Sequence, residues 1–245
     1  MFRQFSARVK RFWAALALLS VEMIIVLGLF IIALVTFVYT TRKIFVLDRT
    51  QFDQNVFTWL RLHISERNTD VMDFFTFFGT HLFLIPANLL FIAYFAFIKK
   101  NKWYSIKFPA IALSSLGLMF GLKAIFHRNR PADPVLQAAS GMSYPSGHAL
   151  FSITFYGLLI YLIFKTVKNN ILKWILISLL ILFIFVIGFS RIYLRYHYAS
   201  DVLAGYCIGF LWLVFAIWML NKIEKQSQKK IDPIVSQPAI PSSDS

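Results

Sequence analysis

Six long apolar runs organise this chain of 245 residues: 14–40, 71–98, 103–126, 148–164, 171–189 and 199–220. A helix needs about 20 apolar residues to cross the hydrocarbon, within a range of about 17–25. Lys and Tyr at the run ends can snorkel to the interface and extend the shorter ones. The chain is 58% hydrophobic and 15% charged, and it carries 27 Phe and 6 Trp. Soluble domains average about 45–50% apolar and about 25% charged residues, so a compact soluble domain of this size has no room to hide those side chains. The reading is an all-α polytopic bundle with six transmembrane helices and no soluble domain. A disulfide scaffold is excluded by a single cysteine, Cys207.

The basic arm 1–13 precedes the first run, which is too long for a secretory signal and shows no small-x-small cleavage site, so it reads as an uncleaved span. Six spans put both termini on one side. Of the 25 Lys and Arg residues, 15 fall on that side, and cytoplasmic loops carry such an excess. Both termini are therefore expected in the cytoplasm, and brevity points to a bacterial inner membrane. The net charge of +14 reflects anionic lipid and cytoplasm rather than nucleic acid. The polar tail 222–245 is expected to be disordered, and the outer segment 41–70 to hold a short interfacial helix with Phe52, Val56 and Leu60 on one face.

Parity then places the exit of span three, the start of span four, the exit of span five and the start of span six on the outer face. The unusual polar residues collect at those four points: Lys123 with Arg130-Pro131, then Tyr144-Pro145-Ser146-Gly147-His148, then Ser190-Arg191 with His197 and Asp201. Each cluster alone has a plain reading as a turn, an interface anchor or a helix-end pair. Together they bring three cations, two histidines and a carboxylate to one membrane face, where charge is costly and marks function. Three fixed cations match a phosphate, which Arg grips with two arms and Lys as a point charge. The Ser146-Gly147 turn adds backbone donors at a helix mouth. His197 and Asp201 share a helical face, the spacing that orients an imidazole. One histidine can attack phosphorus while the other protonates the leaving oxygen; spacing leaves open which does which. The set lacks the extra carboxylates that a magnesium or zinc phosphatase needs, so no metal and no cofactor is expected.

The three clusters resemble the signature of the type 2 phosphatidic acid phosphatase (PAP2) superfamily: Lys-x6-Arg-Pro, Pro-Ser-Gly-His and Ser-Arg-x5-His-x3-Asp, with every position present. The resemblance implies a metal-independent lipid phosphate phosphatase. It implies that His197 is the nucleophile forming a phosphohistidine, that Asp201 orients it, and that His148 protonates the leaving group. It assigns the phosphate to Lys123, Arg130, Ser146, Gly147, Ser190 and Arg191. Substrates within reach are phosphatidic acid, phosphatidylglycerophosphate and undecaprenyl diphosphate. A phosphotransferase would use the same residues. A transporter is disfavoured because the charges sit at one face rather than the midplane, and a vanadate-dependent peroxidase because the chain is membrane-embedded.

The remaining polar residues have quieter expectations. His127 and Arg128 read as a solvated loop face. Arg195, Tyr193, Tyr196 and Tyr198 read as an interfacial belt, Glu22 as a buried packing contact in span one, and Gly79 as a close helix approach. Asp73 and His81 are left without a role. The 52–60 helix is expected to line or lid the route by which lipid arrives, or else to anchor span one.

Overall fold

The computed structural model describes residues 20–48, 50–137 and 139–235. Eight α-helices follow in order: α1 Val21–Phe45, α2 Gln51–Arg61, α3 Glu66–Phe77, α4 His81–Ala93, α5 Lys102–Phe126, α6 Gly147–Thr166, α7 Asn170–Tyr193 and α8 Ala199–Val235. Among the described residues, six helical segments are long and apolar enough to cross a membrane, as the hydropathy pattern predicts. The basic arm 1–13 lies outside the described residues.

Caps mark the helix starts. Ser20 accepts from the Met23 amide, Ser65 from Asn68, Asn101 from Trp103 and Tyr104, and Asn169 from Leu172. Each satisfies amides that the first helical turn leaves orphaned. The central helix is α6, which packs between α8 and α7 with α5 alongside. Gly205 and Gly209 of α8 let it lie directly on α6: a Cβ at Gly205 would come within 2.6 Å of the Ser146 carbonyl, and one at Gly209 within 2.9 Å of the Leu150 carbonyl. Small residues four apart permit this close crossing where lipid offers no hydrophobic drive between helices. Phe108, Ile111, Leu158 and Ile187 fill the core around α6.

Several expectations need correction. Span two is one apolar run but two helices, since Phe78-Gly79-Thr80 interrupts it between α3 and α4. The Tyr156 hydroxyl, from α6, donates to the Phe78 carbonyl at 2.9 Å and satisfies the break from inside. Glu22 is not buried: it is exposed in the first turn of α1, where the helix dipole favours an acid. Lys107 does not snorkel. It is 3% exposed and donates to Asn221 and Glu224 at 2.7 and 2.8 Å. That contact gives α8 a reason to run on, and the tail expected to be disordered from residue 222 is helical through Val235; 236–245 lie outside the described residues.

The outer helix exists as α2, but its inward face is not the one expected. Phe52 is 52% exposed, whereas Asp53, Phe57 and Leu60 are buried. Phe57 and Leu60 pack on Tyr193 and Leu194, so α2 sits on the end of α7.

Candidate active site

Four helix ends meet at one end of the bundle. Lys123 is in the last turn of α5, His148 in the first turn of α6, Arg191 in the last turn of α7, and Asp201 in the first turn of α8. Arg130 comes from the α5–α6 loop and His197 from the α7–α8 loop.

His197 is 2% exposed, and its two ring nitrogens face different partners. Nε2 lies 3.5 Å from Arg130 Nη1. Nδ1 lies 3.3 Å from Ser143 Oγ and 3.7 Å from Asp201 Oδ2. Arg130 is held in turn by the Tyr196 carbonyl at 2.9 Å and the Gly141 carbonyl at 3.0 Å. Lys123 Nζ donates to the Met142 carbonyl at 2.8 Å. Arg191 donates from Nη1 to Thr76 Oγ1 at 2.7 Å and stacks its guanidinium 4.3 Å from the Tyr196 ring centre. His148 lies within electrostatic range of Arg191, His197, Arg130 and Lys123. Three cations and two imidazoles thus surround one small volume.

Burial, only partly opposed by Asp201, lowers His197 to about 4. Its imidazole is therefore neutral and holds a free lone pair at ordinary pH. Burial also lowers Arg130 from its ordinary value, while Arg128 is raised because the Asp201 and Asp53 carboxylates outweigh its burial.

Several buried polar atoms have no hydrogen-bond partner among the described residues, among them Ser146 Oγ and His148 Nε2 at the start of α6 and Arg191 Nε at the end of α7. Buried polar groups are seldom left so, and the pair at the mouth of α6 forms a cradle suited to an anion. Gly147 supplies the first helical turn there, and a Cβ on it would meet only ordinary contacts, Phe151 at 3.6 Å and Met119 at 3.7 Å. Protein packing does not demand that glycine: a methyl group would fit there. Ser190 is different. It is fully buried and its hydroxyl donates to the Ile187 carbonyl at 2.6 Å, which ties it to its own helix.

A family model described as the PAP2 superfamily matches residues 103–225, just over half of the chain. The chain belongs to the PAP2 superfamily. It is an integral membrane phosphatase of that family. The curated phosphatidylglycerophosphatase B of Bacillus subtilis (strain 168) is 27% identical over 164 residues, covering 65% of this chain and 79% of that protein. The crystal structure described as the first transmembrane PAP2 type phosphatidylglycerolphosphate phosphatase from Bacillus subtilis superposes with a TM-score of 0.72 at 23% identity. The match covers 79% of this chain and 96% of the other. The crystal structure of Aquifex aeolicus LpxE gives 0.54 at 21% identity, covering 67% and 93%. The two structures establish the fold.

Around this PAP2 site lie residues that the sequence reading placed elsewhere. Arg128 is not a solvated loop residue: it is pinned between Asp201 and Asp53, with the Asp53 contact at 2.8 Å. Its neighbour His127 is exposed, as expected. Tyr193 is not an interface anchor but a buried residue whose hydroxyl donates to the His63 carbonyl. Tyr196 and Tyr198 stack against Arg191 and Arg128, and Arg195 over Phe57. Gly79 does mark a close approach, and its neighbour is His148 itself: a Cβ there would lie 2.8 Å from His148 Cδ2. Asp73 and His81 are exposed. One signal for Asp53 was present in the sequence. It shares i, i+4, i+7 spacing with Phe57 and Leu60, and a carboxylate on an apolar face calls for a buried cation.

Proposed function

We propose that this phosphatase hydrolyses lipid phosphates or diphosphates of the phosphatidic acid, phosphatidylglycerophosphate or undecaprenyl diphosphate class, at the outer face of a bacterial inner membrane, without a metal. The observation that carries the reading is the placement of His197 Nε2 beside Arg130, with Arg191, Lys123 and His148 around the same volume. The name of the Bacillus subtilis relative supports the substrate class. The excess of Lys and Arg on the side of the termini supports a site that faces outward.

Lys123, Arg130 and Arg191 hold the phosphoryl oxygens, joined by Ser146 and the Gly147 amide. The Nε2 lone pair of neutral His197 attacks phosphorus in line with the ester oxygen. The N–P bond forms as the P–O bond to the lipid breaks, and His148 gives its proton to the departing oxygen. Asp201 balances the charge that the ring acquires. His148 then removes a proton from water, whose oxygen attacks the phosphohistidine, and inorganic phosphate leaves with the imidazole restored. Because phosphoryl transfer asks mainly for positioning and charge stabilisation, the fixed cations supply most of the rate.

The test is phosphate release from a panel of lipid phosphates by purified protein in EDTA. Turnover in EDTA that is abolished in His197→Ala and His148→Ala supports the reading; dependence on an added divalent ion refutes it.

A further inference from the structure

Arg128 lies on the far side of Asp201 from the phosphate volume, so the mechanism above does not use it. Its side chain nonetheless makes three hydrogen bonds beside the site. Nη1 donates to Asp201 Oδ1 and, at 2.8 Å, to Ser200 Oγ. Nη2 donates to Asp53 Oδ2 at 2.8 Å. The guanidinium also stacks 4.0 Å from the Tyr198 ring centre. Asp53 in turn accepts from the Ser200 amide at 2.9 Å and from its hydroxyl at 2.6 Å. A carboxylate on α2 therefore caps the start of α8, the helix that carries Asp201.

This network decides which way the Asp201 carboxylate points. Asp201 is fully buried. Oδ2 accepts from Ser143 Oγ and from the Tyr198 amide at 2.9 Å, and it is the oxygen that faces His197. Oδ1 is held by Arg128. Only a two-armed cation can hold Oδ1 and reach Asp53 at once, and a lysine offers a single point. Removing either partner leaves a buried charge unpaired, which is costly.

We propose that Arg128 and Asp53 are positioning residues: Asp53 on α2 locks Arg128, and Arg128 fixes one oxygen of Asp201 so that the other addresses Nδ1 of His197. The interfacial helix α2 is thereby part of the catalytic construction and not a peripheral anchor. This rests on the assignment of His197 as the nucleophile.

The experiment uses the full chain in detergent with p-nitrophenyl phosphate and with dioleoyl phosphatidic acid. It compares Arg128→Gln, Arg128→Lys, Asp53→Asn and the control His197→Ala. Loss of a partner that orients a reacting group costs about 10–100-fold, so kcat should fall by that factor in Arg128→Gln and Asp53→Asn on both substrates. KM should move by less than about threefold, because the phosphate grip is untouched. Arg128→Lys should fall between these variants and the wild type.

The acid limb of kcat/KM supplies a readout that a scaffold role would leave still. His197 is faced by Asp201 from α8, Arg130 and Ser143 from the α5–α6 loop, Arg191 from α7 and His148 from α6. Without Arg128, Asp201 pairs more fully with His197 and the limb moves to higher pH. Wild-type kcat in Arg128→Gln and Asp53→Asn overturns the proposal. So does a loss that only follows the loss of monodisperse protein, with the limb unmoved. Turnover persisting in His197→Ala overturns the nucleophile assignment instead, whatever the Arg128 variants do.

Discussion

The carboxylate of Asp201 stands 3.7 Å from Nδ1 of His197, and the hydroxyl of Ser143 lies between them, 3.3 Å from the ring nitrogen and hydrogen-bonded to the same carboxylate oxygen. The ring proton can pass its bond to the carboxylate through that hydroxyl. Ser143→Ala should remove the bridge and lower kcat by about 10–100-fold with little change in KM. Steady-state kinetics on a lipid phosphate would show this, and an unchanged kcat would mean that the carboxylate acts on the ring alone.

The neutral state of buried His197 has a pH signature. With its value lowered from 6.5 to about 4, the imidazole stays deprotonated across the weakly acidic range. The enzyme's own acid limb in kcat/KM should lie near 4, once the substrate's phosphate ionisation near about 6 is divided out. Stability moves the same way. Between 6.5 and about 4 the unfolded chain takes up a proton that folded His197 refuses, so this group makes stability fall as the pH drops through that window. An enzyme limb near 6.5 would contradict this burial.

Gly147 separates ligand approach from packing. A Cβ there meets the protein only at ordinary contact distances. Gly147→Ala should therefore leave the melting temperature unchanged or raise it, since alanine is favoured over glycine in a helix by about 0.5–1 kcal/mol. It should lower kcat/KM by about tenfold or more if the first-turn amide faces the phosphate. Full activity in this variant would remove the turn from the anion cradle.

Gly79 gives the opposite pattern. A Cβ there would lie 2.8 Å from both His148 Cδ2 and Ile187 Cγ2. Gly79→Ala should cost about 1–3 kcal/mol through overpacking and push the His148 ring from its place. A lower melting temperature together with lost turnover is the expected result.

How far the sequence carried these conclusions depends on how local each signal is. Hydropathy alone finds six spans because nothing else buries runs of Leu, Ile and Phe of that length. Parity is then enough to bring Lys123, His148, Arg191 and Asp201 to one end. The break at Gly79 was invisible to hydropathy because its flanks are apolar on both sides, and the ring that packs on it, His148, lies far along the chain. Lys107 looked like a span-end cation because its partners, Asn221 and Glu224, lie over a hundred residues away. Arg128 sat at a variable position of its motif. Its burial follows from Asp53, 75 residues earlier, and no short-range pattern links the two. The candidate site residues were legible, and the scaffold behind them was not.

The most direct test of the central claim is to quench the enzyme during turnover of a lipid carrying labelled phosphate and locate the label by peptide mass spectrometry. An acid-labile phosphoryl group on His197, absent from His197→Ala, is the result the account predicts. Label carried by any other residue, or sustained turnover with no covalent phosphoryl group at His197, would contradict it.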